Sequence, residues 1–168
     1  MSYYKDGVIS IPNISGNIVI TATAVASAKP NLFEKTPSVQ APVAAAVASD
    51  QVYIGGRVTS AYQVQLWSDG TGQLVTRPIP FVVGDTFSVS TDRANNVNNY
   101  VGCAYFYDAN GNGIKRATTH ESIGIYWFWD NQYKTGRLET GSITDIENAA
   151  FVRFTLAYTD INNIKITK

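Results

Sequence analysis

From residue 51 onward the chain is cut by Gly, Asn, Asp and Pro into short runs rich in β-branched and aromatic residues, too brief and too alternating for helices. By periodicity the runs are strands at roughly 52–58, 61–68, 73–77, 79–83, 86–91, 100–107, 114–118, 122–129, 135–143, 150–157 and 163–167. Asp69-Gly70-Thr71-Gly72 and Asn110-Gly111-Asn112-Gly113 supply residues that tolerate the positive φ of tight hairpins. Many short antiparallel strands joined in this way predict an all-β sandwich or barrel. Val152, Phe154 and Leu156 alternate with Arg153 and Thr155, which reads as one buried and one solvated face and favours an antiparallel β-sandwich.

Before residue 51 the pattern is looser. Residues 8–11 and 17–25 read as two strands joined by a turn at 13–16. Residues 26–50 are rich in Ala and Pro and hold at most a helical turn, because Pro30, Pro37 and Pro42 interrupt anything longer. The expected organisation is a hairpin-like β segment at 1–28, a connector at 29–50 and the sandwich at 51–168. A chain of 168 residues can bury a core of this kind without disulfides or metals.

Thirteen Lys plus Arg balance thirteen Asp plus Glu, with no block of like charge, so the long-range field that gathers phosphates or an anionic membrane is missing. Nucleic acid is not an expected partner. The single cysteine, Cys103, lies in an apolar run and reads as a small buried hydrophobe. The N-terminus, MSYYKDGVIS, lacks a basic region followed by an apolar run, and APVAAAVAS at 41–49 is too short to cross a bilayer. Neither a secretion signal nor membrane insertion is expected.

Two aromatic stretches bear on function. In AYQVQLWSDG, Tyr62, Val64 and Leu66 form an apolar side and leave Trp67 with Gln63 and Gln65. Such a ring is either a platform for the C–H face of a sugar or a strand-end cover for a loop. In IYWFWD, at 125–130, Tyr126, Trp127 and Phe128 are most simply core or loop-packing residues. Trp129 precedes the polar Asp130, Asn131, Gln132 and Tyr133 at the strand end. The first-choice ligand site is therefore Trp129, Asp130, Asn131 and Tyr133, with Arg137 on the next strand and Trp67 as a further glycan contact.

Other patterns lead away from catalysis. DANGNG, at 108–113, opens like a calcium loop, but Thr119 stands where the bidentate glutamate belongs, so a hairpin is the plainer reading. A structural calcium held by loop carbonyls and distant carboxylates stays compatible with the sequence; no other cofactor is expected. One histidine, His120, with Glu121 beside it, is too few for a zinc site or a nucleophile–base triad. Glycosidases need only two facing carboxylates, yet no acid here lies in a recognisable catalytic motif.

YKDGVISIPNISGNIVITATAVA (4–26) resembles a segment that recurs in tail and baseplate-associated proteins of phages and prophages of Gram-positive bacteria. NLFE, IPFVVGDTFSV, YVGCAYFYDANGNGI and FVRFTLAYTDINNIKI resemble the terminal jelly-roll modules of such proteins, which are similar to carbohydrate-binding modules. The resemblance implies a jelly roll and a non-catalytic role in adhesion to cell-surface polysaccharide. It also implies a place in a virion tail or prophage-derived particle, with other tail proteins as partners; the lack of a signal peptide leads one to expect synthesis in the bacterial cytoplasm. Shallow glycan sites are individually weak, so a homo-oligomer, such as a trimer, would supply avidity. A structural decoration or connector domain that binds no glycan is the alternative, since interfaces also enrich Tyr and Trp.

Overall fold

Alternation of apolar and polar residues resolves into two packed sheets. The computed structural model describes residues 4–5, 8–9, 28–34, 38–40, 50–67, 72–95, 101–117, 125–140 and 145–168. In chain order the strands are β1 (Tyr4–Lys5), β2 (Val8–Ile9), β3 (Ser38–Gln40), β4 (Val52–Ile54), β5 (Gly56–Val58), β6 (Val64–Leu66), β7 (Gln73–Val75) and β8 (Ile79–Pro80). There follow β9 (Thr86–Ser90), β10 (Cys103–Tyr107), β11 (Gly113–Ala117), β12 (Ile125–Asp130), β13 (Thr135–Thr140), β14 (Phe151–Ala157) and β15 (Lys165–Thr167). One sheet runs β11-β10-β14-β7-β4-β3, with β8 also on β14; the other runs β12-β13-β9-β15. All pairings are antiparallel except β3 with β4, and β1 and β2 form a short ribbon of their own. The fold is therefore the expected all-β sandwich with a short N-terminal β segment; the turn at 13–16 and the strand at 17–25 lie outside the described residues.

The main core fills the space between the sheets. Phe87, Val89, Leu138 and Ile166 enter from the four-stranded sheet and meet Leu74, Ala104, Phe106, Val152, Phe154 and Leu156 from the other. Phe87 and Phe154 touch edge to face across the interface, with centroids 5.9 Å apart. Each such fully buried side chain contributes about 1.5–3 kcal/mol relative to leaving it in water.

The opposite face of β14 corrects the amphipathic reading of that strand. Arg153 is only 1% exposed and Thr155 is equally buried. The cause is a second core, in which the β5–β6 ribbon lays Val58 and Val64 over Tyr53, Val75, Cys103, Tyr105 and Tyr107. Tyr62, held at φ 58° in the turn between β5 and β6, packs edge to face against Tyr105 and Tyr107. A Cβ at Gly113 would overlap the Tyr62 ring, which is why that position carries none. Tyr105 donates to the Val58 carbonyl at 3.1 Å, and Tyr62 to that of Ile114 at 3.2 Å. Burial pushes the Cys103 thiol up to about 12, as befits a core hydrophobe.

Arg153 keeps its charge inside this second core. Its Nη1 donates to the carbonyls of Thr76 at 2.9 Å and Gln51 at 3.2 Å, and its guanidinium lies 5.7 Å from the centre of the Tyr53 ring. Burial pulls its pKa down to about 10, still well above neutrality. Arg153→Ala removes these bonds and opens a cavity. It should lower stability by roughly 2–4 kcal/mol in urea unfolding.

The stretch expected to be a connector is partly built into the sandwich. Phe33 belongs to the main core, and β3 lies along β4. Asn31 donates to the Ile164 carbonyl at 3.0 Å and accepts from the Ile166 amide at 2.8 Å, while the Leu32 amide bonds the Ile166 carbonyl. These contacts fix β15. The 3-10 turn Ile161–Asn163 ahead of it is anchored by Asp92, which accepts from the amides of Thr159 and Asp160 and from the Asn163 side chain.

Desolvation raises the Asp92 pKa, but hydrogen bonds from Asn163, Thr159 and Asp160 outweigh it and bring the carboxyl to about 2. Its folded pKa is thus below the unfolded value of 3.8, so its contribution is present above about pH 4 and is lost as pH falls toward 2. In acid titrations followed by circular dichroism, Asp92→Asn should lose less stability across that interval than the parent chain does.

Candidate functional site

The outer face of the four-stranded sheet carries the candidate site, and strand parity assigns its members. Phe87, Val89, Leu138 and Ile166 point inward, so Ser88, Ser90, Thr135, Arg137, Lys165 and Thr167 point outward. Register arranges them in rows. Phe128 lies opposite Arg137, Arg137 opposite Ser88, and Ser88 opposite Thr167. The next row runs Asp130, Thr135, Ser90, Lys165. Together Ser88, Ser90, Phe128, Thr135, Arg137, Lys165 and Thr167 line an open groove of about 450 Å³.

Phe128 is 65% exposed, which reverses the expected order of the rings in IYWFWD. Trp129 faces the other way: it is half-buried, packs against the main core, and stands opposite Gly136. The side chains of Tyr126 and Trp127 lie outside the described residues.

The predicted members Trp129, Asp130, Asn131 and Tyr133 do come together, at the β12–β13 turn. Their polar atoms hold that turn. Asp130 accepts from the amides of Gln132 at 2.8 Å and Tyr133 at 3.1 Å, and Lys134 takes φ 55° to close it. The Asn131 side-chain oxygen accepts from Trp129 Nε1 at 3.0 Å and from the Asn95 amide at 2.9 Å. Asn95 in turn accepts from the Ala157 amide at 2.7 Å, tying the turn to β14. Tyr133 remains 70% exposed at the tip. Arg137 lies beyond the turn, in the groove, paired with Glu139 on the same strand.

Trp67 is placed apart from these residues. It follows β6 in the ribbon that covers the other sheet, is 48% exposed, and has the Arg57 guanidinium 3.5 Å from its ring centre. That cation–π contact occupies one ring face. The strand expected at 61–68 is shortened to Val64–Leu66, because Tyr62 adopts a left-handed backbone.

DANGNG is the hairpin turn between β10 and β11. Asp108 accepts from the amides of Asn110 and Asn112, each at 2.8 Å, and from the Asn112 side chain, while Gly111 takes φ 86°. The Asn112 side chain, with the neighbouring amides, holds the Asp108 carboxyl below the usual carboxylate range. Among the described residues no group of three or more His, Cys, Asp and Glu is gathered as a metal would require. His120 and Glu121 lie outside the described residues.

Phe128 could have been found from the sequence by pairing. A turn at 131–134 sets Phe128 opposite Arg137, and TGRLET then places Thr135, Arg137 and Glu139 on one face away from Leu138. Comparison of the chain with family models, curated proteins and solved structures finds no match.

The two rings should separate in stability measurements. Trp129→Ala should cost about 2–3 kcal/mol in urea unfolding through lost core packing, whereas Phe128→Ala should stay within about 0.5 kcal/mol.

Proposed function

We propose that this chain is a non-catalytic carbohydrate-binding module of a phage or phage-like tail protein, and that it adheres to host cell-surface glycans through the outer face of its four-stranded sheet. The observation that carries the reading is Phe128, an exposed ring at the edge of a groove floored by Ser88, Ser90, Thr135 and Thr167. A pyranose has an apolar C–H face and a rim of hydroxyls, and this surface offers a partner for each. The groove is open and shallow. Single-site affinity is accordingly modest, and copies on an oligomer would raise it by effective concentration. The tail assignment draws its support from the resemblance of residues 4–26 and of the later strands to tail-associated modules.

Whole-cell and purified cell-wall polysaccharide binding by labelled protein tests this. Phe128→Ala should weaken binding at least about fivefold with an unchanged melting temperature, since one stacked ring is worth roughly 1–3 kcal/mol. Unchanged binding in that variant sinks the groove as the site.

A decoration or connector domain is the second reading, and Leu66 and Trp67 favour it, being exposed together on the ribbon away from the groove. If it holds, the protein copurifies with a tail component, Trp67→Ala abolishes that association, and no polysaccharide is retained.

A further inference from the structure

We infer that the saccharide taken by this groove is acidic, carrying a sugar carboxylate or a backbone phosphodiester that sits between Arg137 and Lys165. The inference rests on the glycan reading and narrows it. Among the described residues the groove walls include two cationic side chains and no acid. Arg137 and Lys165 stand two strands apart and two residues out of step, with Ser88 and Ser90 between them. Strand spacing puts their Cα atoms roughly 10 Å apart across the sheet and roughly 7 Å along it. Both side chains are long enough to lean over the intervening serines toward one anion. Phe128, directly opposite Arg137, places an apolar ring beside that point.

The nearby acids do not cancel this charge. Glu139 pairs with Arg137 on the exposed surface, and such pairs are weak enough to exchange one carboxylate for another. Asp130 is turned to the Gln132 and Tyr133 amides at the hairpin end and stands three strands from Lys165, roughly 14 Å across the sheet. The guanidinium fork matches the geometry of a carboxylate or phosphate, while the lysine adds a point charge that tolerates either. Because the whole chain is neutral, attraction is local to the groove and not a property of the molecule's field.

The test is calorimetric or microarray titration of the intact chain with three oligomers of matched length: neutral galactose oligosaccharides, galacturonic acid oligosaccharides, and a glycerol-phosphate polymer. One acidic probe should bind at least tenfold more tightly than the neutral one, and which of them does so distinguishes carboxylate from phosphate. That margin should shrink between 50 and 500 mM salt, an illustrative range of about one decade. It should disappear in the double variant Arg137→Gln, Lys165→Gln and widen a few-fold in Glu139→Gln, with melting temperatures unchanged. Equal affinity for neutral and acidic oligomers, or an acidic preference unmoved in the double variant, overturns the inference and leaves the glycan reading standing. No binding of any oligosaccharide overturns both.

Discussion

The burial of Arg153 is the constraint from which the layout of the molecule follows. A guanidinium taken out of water is costly, and here two main-chain carbonyls accept from Nη1 and the Tyr53 ring lies nearby. Those carbonyls belong to Gln51 and Thr76, the residues flanking β4 and β7, so the same group that needs shelter also draws these segments onto β14. Shelter further comes from the β5–β6 ribbon laid over the tyrosines of β4 and β10. The sheet containing β14 is thereby covered on both sides, by the main core on one and the tyrosine core on the other.

Among the described residues, that leaves the four-stranded sheet with a broad polar outer face. Its inner side is fixed by Phe87, Val89, Leu138 and Ile166, and strict alternation then presents serine, threonine, arginine and lysine outward. The edge strand β15 is held by Asn31 on one side and by the Asp92-anchored turn before it. The groove is thus composed on regular strands whose registers are set by the core, which keeps its side chains in place.

Most of the fold was legible because the period-two pattern and the Asn-Gly turns are local signals. The sandwich, the 108–113 hairpin and the buried Cys103 all follow from residues within a few positions of one another. What was not legible depended on distant partners. Nothing adjacent to Arg153 announces that a ribbon from residues 56–66 will cover it, and nothing near Phe33 says that it will enter the core. The ring assignment in IYWFWD failed for a related reason. An apolar strand considered alone has no wet side, and only its hairpin partner, with Leu138 inward and Arg137 outward, decides that Phe128 is exposed and Trp129 packed. Of the polar residues after Trp129, Asp130 and Asn131 use their oxygens to shape the turn, a role that depends on the distant Asn95 as well as on near neighbours.

The proposed binding surface is the outer face of the β12-β13-β9-β15 sheet. Amide chemical-shift mapping during titration with host cell-wall polysaccharide fragments tests it directly. Binding at this face moves the amides of Ser88, Ser90, Phe128, Arg137, Lys165 and Thr167 and leaves those of Arg57 and Trp67 on the ribbon unmoved. Shifts confined to the ribbon or to the tip around Tyr133, with the sheet face silent, would contradict it.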